Sequence, residues 1–140
     1  MNLAVTLTLA ASGIFLVVGL IGGILKYQGM MRSPDHQAHP YIDIAHRASL
    51  MYSFTALVMA TLLAFSPYSL TVQLVITGVP LFFFAVAIAQ YYRLGLQGQV
   101  TNQFQSRNFS TTWGMWLLII GEVGGVGAIV WGFIATQLLA

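Results

Sequence analysis

The chain has 140 residues, of which 58% are hydrophobic and only 6% charged, where an ordinary soluble domain carries about a quarter of its residues as charges. Five Lys and Arg against three Asp and Glu leave a net charge of +2, too little for a basic surface that neutralises a phosphate backbone, so nucleic-acid binding is excluded. Cysteine is absent, which excludes disulfides, thiolate catalysis and zinc or iron-sulfur sites built on Cys.

A helix crossing the hydrocarbon core of a bilayer needs about 20 predominantly apolar residues. Four stretches reach that length, Leu3 to Leu25, Asp43 to Phe65, Ser69 to Tyr92 and Trp113 to Leu139. The predicted fold is therefore all-α, a single transmembrane domain over residues 1–140 built as an up-down-up-down four-helix bundle. No basic region precedes the first stretch, and Gly-rich sequence follows it in place of a small-residue cleavage site, so it is expected to be retained and not removed as a signal peptide. Ser66, Pro67 and Tyr68 alone join the second stretch to the third, a connection that forces an antiparallel hairpin.

The remaining connections, Lys26 to Ile42 and Arg93 to Thr112, are polar and emerge on one side. Every basic residue, namely Lys26, Arg32, Arg47, Arg93 and Arg107, falls on that side, which is expected to be cytoplasmic with both termini outside. A short chain without a targeting signal suits a bacterial inner membrane. Gly19, Gly22 and Gly23 in the first helix, and Gly121, Gly124, Gly125 and Gly127 in the fourth, allow close approach of backbones or a flat surface for a cofactor. Gly78 and Pro80 are expected to loosen and kink the third helix.

A charge inside a membrane normally faces the bundle and has a partner. Glu122 lies nine residues beyond Trp113, about 13 Å into the fourth helix. Arg47 is its expected partner in a structural ion pair, with His46, Tyr52, Tyr91 and Tyr92 at comparable depths.

The segment Asp35 to Arg47 holds all three histidines and two of the three acids. If the helix starts near Pro40, a favourable first-turn position, Asp43 and His46 share a face and His39 sits above them. Imidazole and carboxylate ligands suit zinc or non-haem iron, so His36, His39 and Asp43 form one candidate metal site. His46 differs from the other two histidines because it begins the span. A neutral imidazole there can ligate haem iron, and with no Cys-x-x-Cys-His any haem is non-covalent haem b. The lone intramembrane histidine excludes a bis-His pair within one chain. The iron would keep an open position for Lewis-acid chemistry on a small oxygen-bearing ligand, facing a pocket lined by Tyr52, Tyr91, Tyr92 and Trp116.

Ala45-His46 opening the second helix, polar Tyr52 six residues after the histidine, and Gln90-Tyr91-Tyr92-Arg93 closing the third together resemble the styrene oxide isomerase and hydroxylaminobenzene mutase group of small four-helix membrane proteins. The resemblance covers the four-span layout, and its specific content is three or four residues. It implies a membrane homotrimer with haem b at protomer interfaces, His46 as axial ligand, and a redox-neutral rearrangement of a small lipophilic substrate. A polar residue of helix two and a Tyr of helix three would orient the substrate oxygen, which gives Tyr52, Tyr91 and Tyr92 catalytic roles. The family places Asn where this chain has Tyr52, and a phenol donates a hydrogen bond without mimicking an amide. Arg47 and Glu122 have no counterpart in that pattern.

The rival class is a non-catalytic helical subunit of a larger membrane complex, or a non-haem metal-binding membrane protein. A transporter ranks third, because the chain lacks the inverted repeats expected of one.

Overall fold

The computed structural model describes residues 1–139. Every long element among them is helical: α1 Leu3–Arg32, α2 Pro40–Leu63, α3 Leu70–Gln97 and α4 Trp113–Gln137, with a single 3-10 turn at Gln103–Gln105. Three of the four helices, α1, α3 and α4, are long and apolar enough to cross a membrane, which suits a membrane protein. α2 reaches 24 residues but carries Asp43, His46, Arg47, Ser49, Tyr52 and Ser53 in its first half, and these polar side chains separate it from the other three.

Local chemistry sets the helix ends. Asn2 caps α1, its side chain accepting the Val5 N–H at 3.0 Å. α1 runs seven residues past the end of its apolar stretch at Leu25, because Lys26, Gln28, Met30, Met31 and Arg32 are good helix formers. It stops at Ser33, the residue before Pro34, where the helical conformation is disfavoured. α2 opens with His39 as N-cap and Pro40 in the first turn, as the sequence predicts. α3 ends on Gly98, whose φ of 66° is the left-handed cap that glycine adopts without cost.

α1 packs along α2, α2 and α4 along α3, while α1 and α4 do not pack on one another among the described residues. The core gathers Phe15 from α1, Met59 and Leu63 from α2, Phe84 and Ile88 from α3 and Ile129 from α4. Buried hydroxyls are satisfied by their own helices: Thr8 donates to Ala4 O, Ser49 to Ala45 O and Thr77 to Gln73 O, each at 2.7 Å. Between helices, Ser12 donates to Ser53 O at 2.9 Å, and Asn2 Nδ2 donates to Gln73 Oε1 at 2.6 Å.

The glycines divide by what occupies the space of a side chain. Gly19 accommodates Leu50, Gly22 the Tyr92 hydroxyl, and Gly23 the His46 ring, so this face of α1 is filled by α2 and α3. On α4, Gly125 seats Pro80 and the Ile76 carbonyl, from which a Cβ would stand only 2.6 Å. Proline removes the N–H that would bond that carbonyl within α3, and the glycine lets α4 close over it. Gly124 and Gly127 face open space.

Candidate functional site

Two cations hold the first turns of α2. Asp43 takes Lys26 Nζ at 2.6 Å on one oxygen and Arg47 Nη2 at 2.7 Å on the other. Asp43 and Arg47 are four apart on one helix face, a spacing at which opposite charges meet. Lys26 reaches across because α1 remains helical past Leu25.

This arrangement corrects the expected Arg47–Glu122 pair. Arg47 is engaged by Asp43, and Glu122 faces a cavity at the level of Tyr52 and Thr55, about 8 to 12 Å further along α2. Glu122 Oε1 is buried with no hydrogen-bond partner among the described residues.

The candidate metal ligands His36, His39 and Asp43 are not brought together in this structure. No three His, Asp or Glu side chains among the described residues gather closely enough to hold a metal. His39 Nδ1 is spent as helix cap, accepting the Tyr41 N–H at 3.2 Å, and both Asp43 oxygens are paired. His36 sits in the preceding turn with φ 56°. In that turn the Ser33 hydroxyl donates to Asp35 and holds its carboxyl below the usual range, assisted by the Gln37 N–H.

His46 lies between α1 and α2. Its Nδ1 is 2.7 Å from the Gly19 carbonyl oxygen. A carbonyl only accepts, so Nδ1 carries a proton, and Nε2 is the nitrogen that the neutral tautomer leaves for ligation. The ring lies over Gly23, where a Cβ would stand 3.2 Å from Cε1. Tyr92 enters the same groove from α3 and donates to Val18 O at 3.0 Å, its hydroxyl occupying the space that a Gly22 side chain would need beside the His46 Cα. An imidazole with one nitrogen anchored to backbone and no hydrogen bond on the other among the described residues is the kind of donor that would hold haem iron. Glycine at position 23 supplies the room for its ring, so these residues fit a haem ligand.

Within the chain, the other expected site residues Tyr52, Tyr91 and Trp116 border three separate spaces. Tyr52 stacks on Phe84 with ring centroids 4.1 Å apart and shares with Glu122 an open cavity of about 470 Å³. Tyr91 stacks on Tyr41 at 6.1 Å and lines a cavity of about 360 Å³ with Gln90, Gln103 and Ser110. Trp116 borders a third space of about 630 Å³ with Arg107 and Trp113 at the start of α4. The separation of His46 from Tyr52 follows from helix geometry, since six residues turn the helix by roughly 600° and leave the two side chains about 120° apart.

Sequence reasoning missed the Gly19 carbonyl and Gly23 as the groups that orient His46. The small-residue spacing of Gly19 and Gly23 was their only signal, and it points equally to packing. Compared with known proteins, the chain matches no family model, no curated protein and no solved structure.

Proposed function

We propose that the chain is an integral membrane up-down-up-down bundle that binds haem b through His46 Nε2 and isomerises a small lipophilic substrate without net oxidation or reduction. The observation that carries this reading is the half-buried His46 imidazole, its Nδ1 fixed by the Gly19 carbonyl and its Nε2 without a hydrogen bond among the described residues. The resemblance to the styrene oxide isomerase and hydroxylaminobenzene mutase group adds the reaction type and a homotrimer. When bound, the haem supplies Lewis acidity toward a substrate oxygen.

The chain's own residues do the positioning. The hydrogen bond at Nδ1 fixes the tautomer and ring orientation and raises the basicity of Nε2. Tyr92 braces the groove against α1 through Val18. Asp43, three residues before His46 on α2, is held between Lys26 and Arg47. In the reaction, an aryl epoxide breaks its benzylic C–O bond while hydride moves from the neighbouring carbon to give an aldehyde. No oxidant or reductant is consumed.

Hydrogen bonds at the two ends support the antiparallel arrangement. Asn2 meets Gln73, Thr136 donates to Phe65 O at 3.3 Å and Gln103 N–H reaches Tyr41 Oη at 2.7 Å. With all basic residues at the Tyr41 end, that end is cytoplasmic in this reading, in a bacterial inner membrane, with both termini outside. A cytoplasm-only reporter inserted after Gln105 is expected to be active and an export-dependent one silent; the reverse pattern contradicts the orientation.

The activity is tested with purified protein, an aryl epoxide and an arylhydroxylamine, with no nicotinamide or other redox partner added. Conversion of at least one to its isomer is expected. Failure to convert either overturns the isomerase reading.

A further inference from the structure

We propose that the cavity bordered by Tyr52, Phe84 and Glu122 binds a lipophilic organic cation that enters from the bilayer. This site stands apart from the His46 groove and does not depend on haem.

Charge accounting motivates the proposal. Glu122 lies in the middle of α4, its Oε1 buried without a hydrogen-bond partner among the described residues. Lys26 and Arg47 are both engaged by Asp43, and Arg107 borders the separate space at the start of α4. Arg32 and Arg93 lie near the loop ends of α1 and α3. No basic side chain of this chain therefore forms a salt bridge with Glu122 among the described residues. A carboxylate at such a depth needs a compensating charge or a proton.

The walls favour a bulky cation. Half-buried Tyr52 lies beside the carboxyl with one face against Phe84 at 4.1 Å and the rest of its ring bordering the cavity, and an aromatic ring attracts a cation placed against it. Tyr52 from α2 and Tyr91 from α3 are the titratable groups close enough to act on Glu122, and both are phenols that bring no positive charge. The volume of about 470 Å³ suits a small organic molecule. Val123 is 69% exposed at the rim, and Gly127 leaves its side open, with nothing within 4 Å of a Cβ there. The entrance is thus an apolar opening on the outer side of the bundle, accessible to a hydrophobic ion dissolved in the membrane.

A cation on the carboxylate displaces its proton, so affinity rises with pH through the titration of Glu122 and below it falls by about tenfold per unit of pH. The test is equilibrium binding of tetraphenylphosphonium to the protein in lipid nanodiscs, read between about pH 5 and pH 9. Saturable binding to one site per chain is expected, with that pH dependence. Glu122→Gln should weaken it by at least about tenfold and flatten the pH profile, while Tyr52→Leu should weaken it about fivefold and keep the profile. Gly127→Leu adds a side chain at the cavity wall, starting from a Cβ that meets nothing within 4 Å, and should weaken binding even if the Glu122 variant fails to fold. Absence of saturable binding across the pH range, or unchanged affinity in Glu122→Gln or Gly127→Leu, overturns the proposal. The haem spectrum is read on the same samples, so failure here is separate from failure of the His46 assignment.

Discussion

Gly22→Leu is expected to lower the thermal midpoint of the detergent-solubilised protein by about 5 to 10 °C, while Gly13→Leu leaves it nearly unchanged. At position 22 even a Cβ collides with the Tyr92 hydroxyl and stands 3.2 Å from the His46 Cα. The tyrosine can swing away at the loss of its bond to Val18 O, but the His46 backbone belongs to α2 and cannot move alone. α1 must therefore separate from α2, lengthening the Gly19 carbonyl contact to His46. Gly13 has nothing within 4 Å of a Cβ, so the pair isolates packing from the general preference of helices for leucine over glycine. Equal midpoints for the two variants would show that the groove does not govern the association of α1 with α2.

His46→Ala is expected to reduce isomerisation by at least about a hundredfold, with little difference in thermal midpoint between the haem-free forms of the two proteins. The ring is partly exposed and lies over a glycine, so its removal opens space at an edge of the bundle without uncovering the core around Met59 and Ile129. The one hydrogen bond lost is to a carbonyl within the continuous helix α1. Initial rates on the aryl epoxide, with added imidazole as chemical rescue, separate ligand loss from misfolding. Full activity in the folded variant would remove His46 from the proposed site.

The start of α2 was legible because Pro40 is a strong local signal, and the helix appears there. The length of α1 was hidden. Its apolar run ends at Leu25, but helix formers carry it to Arg32, and that continuation is what delivers Lys26 to Asp43. With Lys26 read as loop, Asp43 looked available as a metal ligand and Arg47 looked free for Glu122. Pairing across a bundle depends on how far each helix is shifted along its neighbours, and composition does not encode that shift. The small-residue surfaces of α1 and α4 were visible as spacing. Which glycines are filled, as Gly22 and Gly125 are, and which stay open, as Gly127 does, depends on Tyr92 and Pro80 of another helix. The same limit applies to Tyr52: its place six residues after His46 carries the resemblance and its expected role beside the substrate oxygen, while rotation about α2 turns it toward Phe84 and Glu122.

The central claim is that His46 Nε2 is an axial ligand of haem b, and the pyridine haemochrome spectrum of protein purified from haem-replete cells tests it most directly. A Soret band with stoichiometric haem b in the native chain, lost in folded His46→Ala, is the predicted result. A colourless native protein, or full haem content in His46→Ala, would contradict it.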